Sequence, residues 1–237
     1  MYKLKVRQMI SIVTINLNNK KGLERTIKSV LAQTCIDEIQ YIVIDGKSTD
    51  GSVDVIKQYA DGIDYWVSEK DKGIFNAFNK ALSHLKGDYV LFLNSGDYLV
   101  SKTTIEEVLK YLDGSVIVYG NQIFSKKNKA MVNYTSYDYV AEFVDKYPDK
   151  LDDTFFKRRA LPHQSTFIKC DYHKKHHYSE DYKIIGDWKL MREAIMIDKV
   201  SYKHIPMIVS NYNMEGVSAQ DDTYVVEIND YYKNIDK

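Results

Sequence analysis

Apolar residues fall along this chain in short runs that alternate with helical stripes. Runs rich in β-branched and aromatic residues at 10–15, 39–44, 63–67 and 89–93 predict four strands. Between them, Leu23, Ile27, Val30 and Leu31 recur at helical spacing over 22–33. A second helix is expected over 53–59, and Ile74, Phe78, Ala81, Leu82 and Leu85 line one side of a third over 74–85. Strands and helices alternating in this way predict a parallel sheet of right-handed βαβ units.

The pattern changes after residue 100. A helix is expected over 103–112, then strands at 116–124 and 131–134 flanking the polar turn 125–129 as a hairpin. Residues 137–159 are charged and aromatic without clean periodicity and read as a loop region. A strand at 164–169, a helix at 188–197, a strand at 200–210 weakened in its middle by Pro206, and a helix at 223–232 complete the reading. With no internal repeat and no low-complexity linker, one compact α/β unit is expected.

Composition narrows the function classes. The 237 residues are 44% hydrophobic and 28% charged, enough to bury a sizeable core. Thirty-three basic and thirty-three acidic residues cancel, so the chain lacks the basic footprint of a nucleic-acid binder, and no nucleic-acid partner is expected. Cys35 and Cys170 stand far apart with no CxxC companion, which fits a reducing compartment better than a disulfide framework or a zinc site. The basic, polar start does not read as a signal peptide, and no apolar run approaches the ~20 residues needed to span a bilayer. A cytoplasmic location is expected. The twenty tyrosines suit stacking on sugar rings but are equally common strand and core residues.

Three strands end in polar, side-chain-rich loops. The first runs into Asn16-Leu17-Asn18-Asn19, the second into Asp45-Gly46-Lys47-Ser48-Thr49-Asp50-Gly51-Ser52, and the fourth into Asn94-Ser95-Gly96-Asp97. Open α/β sheets bind ligands beyond the carboxyl ends of their strands, so a site is expected along that edge. Neither GxxxxGK[ST] nor a GxGxxG after the first strand is present, which argues against a P-loop NTPase or a standard dinucleotide enzyme. A nucleotide site built from side chains remains, in which Asp45 accepts from a base or ribose donor and Asp97 holds a divalent cation.

These segments, with Asp71-Lys72-Gly73-Ile74, together resemble family 2 glycosyltransferases of the GT-A fold, closely over residues 10–100 and more loosely to about 220. The resemblance implies a mostly parallel nucleotide-binding sheet with helices on both faces and a smaller β-hairpin and acceptor-side region. It divides the chain into an N-terminal extension (1–9), a nucleotide-sugar-binding half (10–100), an acceptor-side half of the same domain (101–220) and a C-terminal helix (221–237). It further implies a nucleoside-diphosphate sugar donor, most readily a UDP-sugar, a divalent metal (Mn²⁺ or Mg²⁺), and inversion in a single displacement. Thr14, Asn16, Asp45, Ser48, Asp71, Lys72, Asn79 and Ser95 fall at donor-binding positions, and Asp97 at the metal-binding position. Ser95 replaces the first acid of the family's DxD-type motif.

In the second half, Asp187 precedes a helical stretch and resembles the family's acceptor-facing acid, so it is the candidate general base, although an acid there can also cap a helix. His163 and Gln164 enter a strand and are expected at donor phosphate or acceptor, with Trp188 as an acceptor-side wall. The implied activity is sugar transfer to a glycan or lipid-linked glycan, and a lipid-linked acceptor would bring the chain to the inner face of a membrane as a peripheral contact. Two alternatives stay open, a sugar-nucleotide nucleotidyltransferase and a non-catalytic nucleotide-sugar-binding relative.

Overall fold

The structure, a computed structural model, describes residues 8–125, 143–213 and 223–235. Its centre is one sheet in the order β3-β2-β1-β4-β8-β6-β9-β5, with β7 paired to β6. The four strands expected in the first half form as β1 (Ile10–Asn16), β2 (Ile39–Asp45), β3 (Tyr65–Ser68) and β4 (Tyr89–Phe92), all parallel. The chain steps outward from β1 through β2 to β3, then returns to lay β4 on the other side of β1. That reversal makes the carboxyl edge between β1 and β4 a switch point, where open α/β sheets form ligand crevices.

The rest of the sheet is mixed. It comprises β5 (Tyr98–Leu99), β6 (Ile117–Ser125), β7 (Phe143–Asp145), β8 (Thr166–Lys169) and β9 (Tyr202–Asn213). β8 runs antiparallel to both β4 and β6, β7 antiparallel to β6, and β5 antiparallel to β9, while β6 and β9 are parallel. The hairpin partner expected at 131–134 and its turn lie outside the described residues. Within 137–159, read as loop, β7 and a short helix form where local periodicity is too brief to register. Pro206 does not break β9, because it lies where the β6–β9 register jumps from Tyr119↔His204 to Asn121↔Ile208, an irregularity in which a missing N–H costs no ladder bond.

Helices cover both faces: α1 (Lys20–Leu31), α2 (Ser52–Gln58), α3 (Ile74–Leu82), α4 (Thr104–Leu109), α5 (Asp153–Phe156), α6 (Cys170–His173), α7 (Gly186–Arg192) and α8 (Thr223–Ile235). The period-two alternation of the strands sorts the core. Ile12, Tyr41, Val43 and Leu91 pack with Leu23, Ile27 and Val30 of α1, whereas Val13, Ile42, Ile44 and Phe92 pack with Phe78 of α3 and Trp188 of α7. Each such side chain, fully withdrawn from water, stabilises the fold by ~1.5–3 kcal/mol. α1 starts where Asn19 accepts from the Gly22 N–H at 3.1 Å, an N-cap that fixes the helix against the end of β1. The helix expected over 188–197 begins earlier, at Gly186, and passes into a π-helical turn at Glu193–Ile197.

Candidate active site

The strand register places the polar strand ends level with one another. Asn16 is opposite Asp45, and Asp45 opposite Ser68. Asp45 is completely buried and accepts four hydrogen bonds: from Asn16 Nδ2 at 2.7 Å, the Ser48 N–H at 2.9 Å, Ser48 Oγ at 2.6 Å and Ser68 Oγ at 2.6 Å. Its carboxylate is the pin that gathers three strand ends and the Asp45–Ser52 loop, and these hydrogen bonds offset the cost of burying it. Asn16 Oδ1, buried in the same cluster, has no hydrogen-bond partner.

The loop after β4 is held from below by α1. Thr26 Oγ1 donates to the Asp97 carbonyl at 2.6 Å and accepts from the Gly96 N–H at 2.9 Å, Arg25 bonds the Gly96 carbonyl, and Asn19 Nδ2 donates to the Ser95 carbonyl at 2.9 Å. Gly96 has a φ of 109°, and a Cβ there would stand 2.4 Å from Asn213 Nδ2, so only glycine fits the turn that presents Asp97. Asp97 is 4% exposed, with Oδ1 accepting from the Asn213 N–H at 2.7 Å. Burial pushes its carboxyl up to about 6, against the opposing charges of His163 and Arg25 and the Asn213 hydrogen bond.

His163 joins this loop to the second half of the chain. Its Nε2 meets Asn94 Nδ2 at 3.1 Å and its Nδ1 meets Asp187 Oδ2 at 3.1 Å. Burial opposes a charged ring here. The hydrogen bond to Asp187, its charge and that of Asp97 outweigh burial, and the imidazole pKa lies above its ordinary value. Asp187 stands in the first turn of α7 rather than at its cap, which is Ile185, and its Oδ1 accepts from the Trp188 N–H at 2.8 Å. Gly186 allows the close approach of Phe75, whose ring lies 2.7 Å from where a Cβ would be, so the turn carrying Asp187 seats directly on α3.

Four parallel strands with a switch point, a buried acid on the loop after β4, and a second acid on α7 that meets the His163 ring are now in place. Residues 11–185 match the model of Glycosyl transferase family 2. The chain belongs to that family. It is a glycosyltransferase, 28% identical over 212 residues to an uncharacterized glycosyltransferase of Mycobacterium tuberculosis, covering 89% of this chain and 77% of the relative. Its fold is GT-A. It is similar to Staphylococcus aureus TarS 1–349 in complex with UDP-GlcNAc (TM-score 0.68, 16% identity, 86% of this chain and 58% of that one). It is also similar to a mannosyltransferase of Pyrobaculum calidifontis in complex with GDP-Man and Mn²⁺ (TM-score 0.64, 16% identity, 88% and 57%). The chain thus spans little more than half of each of those solved chains.

Within this family 2 glycosyltransferase the sequence-derived site residues separate into three groups. Asn16, Asp45, Ser48, Ser95, Asp97, His163 and Asp187 come together along the switch-point edge. Asp71 joins them: a Cβ on Gly46 would stand 2.9 Å from its Oδ2, while Lys80 holds its Oδ1 at 2.6 Å and Glu69 at 2.8 Å. Lys72 is exposed beside it, with its N–H on Asn76 Oδ1 at 3.2 Å. Of the remaining four, Thr14, Gln164 and Trp188 are buried and Asn79 is half-buried. Thr14 is wholly buried and donates to the Leu93 carbonyl at 2.9 Å, because even-numbered positions of β1 point under α1. Asn79 exchanges two hydrogen bonds with the Tyr178 backbone, both 2.9 Å, and bonds Glu180. Gln164 is 3% exposed and bonded to Gln122. Trp188 is 1% exposed, donates Nε1–H to the Phe156 carbonyl at 2.8 Å and packs on Tyr231 and Tyr232, so it is core and not an acceptor-side wall.

Two members of the site escaped sequence reading. Ser68 ends β3 in register with Asp45, and Asn94 opens the very loop that ends at Asp97. Counting polar residues at each strand end would have found both. Among the described residues no cluster of three or more His, Cys, Asp or Glu forms a protein cage for a metal, and no helix is long and apolar enough to cross a membrane. The donor set nevertheless fits a divalent cation. One carboxylate whose ionisation is opposed by burial suits an ion whose remaining ligands are substrate phosphates.

Proposed function

We propose that this chain transfers a sugar, with inversion, from a nucleoside-diphosphate sugar to a hydroxyl of a glycan or lipid-linked glycan. The observation that carries the reading is the bridge Asn94–His163–Asp187, which sets an acid from α7 beside the loop that presents Asp97. The nucleotides carried by the two solved neighbours support a UDP- or GDP-sugar, with UDP preferred. The donor base would lie against the Asn16–Ser48 cluster that Asp45 organises, where the unpartnered Asn16 Oδ1 awaits a donor.

Asp97, with Ser95 beside it, would hold a divalent cation that neutralises charge growing on the departing diphosphate. Asp187 would take the proton from the acceptor hydroxyl as its oxygen attacks the anomeric carbon; the bond from that carbon to the diphosphate oxygen breaks, and its electron pair leaves with the nucleotide. His163 orients the Asp187 carboxylate and Asn94 fixes the ring. Diphosphate arrives at an edge that already carries Asp71, Asp97 and Asp187, so a counter-cation is needed for it to bind.

A panel of UDP- and GDP-sugars, each with Mn²⁺, Mg²⁺ or EDTA, tests the reading through release of the nucleoside diphosphate. Metal-dependent release from one donor, raised by a glycan acceptor, is expected. Nucleotide binding with no release on any donor or acceptor would favour the non-catalytic relative, and pyrophosphate-dependent exchange would favour the nucleotidyltransferase.

A further inference from the structure

α8 lies wholly outside the span that matches the family, yet it contacts the segment entering α7. Three consecutive backbone N–H groups, those of Lys183, Ile184 and Ile185, converge on the Glu227 carboxylate at 2.7, 3.0 and 3.1 Å. Ile185 is the N-cap of α7, and Asp187 follows two residues later. The same face of α8 continues the contact. Tyr231 and Tyr232 pack edge-on against Trp188, with ring centroids 5.1 and 5.9 Å away, and their hydroxyls bond Arg192 at 2.9 and 3.1 Å. One turn before Glu227, the Tyr224 hydroxyl is pushed up to about 12 by burial and then by the Asp187 charge.

We propose that Glu227 is a positioning residue for Asp187, acting through the backbone it clamps, and that α8 is the element that locks the base in place. The proposal rests on the reading of Asp187 as the base. Its logic is geometric. His163 and the Trp188 N–H orient the two oxygens of Asp187, but both act on the side chain alone. The backbone that carries Asp187 is fixed on one side by Phe75 against Gly186, and on the other by Glu227. Charge-assisted bonds from a single carboxylate to three successive amides hold those peptide planes in one orientation, which neutral loop contacts would not do. Releasing them lets the first turn of α7 shift. A displacement of about 1 Å at a reacting group costs up to ~10²-fold in rate without touching the binding of a substrate held elsewhere.

Glu227→Gln keeps the shape and removes the charge, so kcat for transfer is expected to fall roughly 10- to 100-fold. Nucleotide affinity and donor KM should stay within about twofold of wild type, because the Asn16–Ser48 cluster and Asp97 are not touched. Val225→Ala, at an exposed position on the same helix, should leave kcat unchanged. The decisive arm is the double variant with Asp187→Asn: if Glu227 acts through Asp187, adding Glu227→Gln to that background produces no further loss. Multiplying losses, or a Glu227→Gln defect confined to KM, would overturn the proposal. If Glu227→Gln fails to fold, Glu227→Asp, which keeps the charge but draws back by one methylene, is judged by the same criteria. An inactive Asp187→Asn beside a near-normal Glu227→Gln rejects this inference alone, whereas an active Asp187→Asn rejects the base itself.

Discussion

Asp187 receives one hydrogen bond from the Trp188 N–H and faces one ring nitrogen of His163, and asparagine can satisfy both. Its Oδ1 accepts the same amide, and its Nδ2 can donate to His163 if the ring proton moves to Nε2 and the Asn94 amide turns to accept it. Asp187→Asn should therefore fold and bind donor normally while transfer falls by roughly 10²–10⁴, the contribution of a positioned base; turnover near wild type in single-turnover assays would remove Asp187 from that role. A second residue-scale outcome concerns His173, which stands in sequence beside Lys174, Lys175, His176 and His177, a polar run of the kind expected in a solvated loop. It is instead wholly buried against Phe92 and Tyr178, with Nε2 unpartnered. Burial pulls its pKa down to about 4, so below pH 6.5 the unfolded chain takes up a proton that the folded chain refuses. Stability is then fully present above pH 6.5 and is lost as pH falls toward 4, by on the order of 3 kcal/mol. His173→Phe should flatten that part of the melting-temperature profile, and an unchanged acid slope would show that other groups set it.

Between elements, α1 is the scaffold of the loop after β4, and Thr26 is the contact through which it acts. Thr26→Val keeps the volume but leaves the Gly96 N–H and the Asp97 carbonyl without their partner, a loss of about 1–3 kcal/mol. The expected functional signature is selective: metal-dependent nucleotide binding weakens more than metal-free binding, because the loop that aims Asp97 loosens while the Asn16–Ser48 cluster stays intact. Calorimetry with and without Mn²⁺ reads the difference, and equal losses would mean that α1 supports the fold and not the loop. The elements themselves were largely legible. β1 to β4 follow from short apolar runs, which in β1, β2 and β4 are buried throughout, and α1 to α3 from helical stripes. What was not legible depends on distant partners. α5 and β7 are too short to carry a period, Pro206 is tolerated only because β6 supplies an irregular register, and Asn79 is tied to the Tyr178 backbone and Glu180, distant partners that sequence spacing does not encode. Trp188 misled for the same reason, since an aromatic beside a site acid reads alike whether it lines a groove or plugs a core.

Across the whole molecule, one continuous sheet joins the two halves of the chain, and His163 links the loop after β4 to α7. The site's charges are drawn from both halves, so its acidic balance could not be seen in a net charge of zero. Asp71, Asp97 and Asp187 stand along this edge, while Lys80 is engaged with Asp71 and Glu69, Arg25 with the Gly96 carbonyl and His163 with Asp187. On the proposed function, a diphosphate brought to this edge would meet repulsion that a divalent cation would offset, and the cation would in turn offset the cost of burying the Asp97 charge. Binding of nucleotide and of metal should therefore be mutually reinforcing and visible as folding stability. At about one hundred times its dissociation constant, UDP with Mn²⁺ should stabilise the chain by ~2.7 kcal/mol, roughly 5–10 °C in melting temperature for this length. UDP alone and Mn²⁺ alone should together give clearly less than the pair. In Asp97→Asn the reinforcement should vanish, leaving the small metal-independent shift that the Asn16–Ser48 cluster supports. Thermal melts of both proteins with UDP, Mn²⁺ and the pair measure it directly, and additive shifts in the wild-type chain would mean that Asp97 does not join metal to diphosphate.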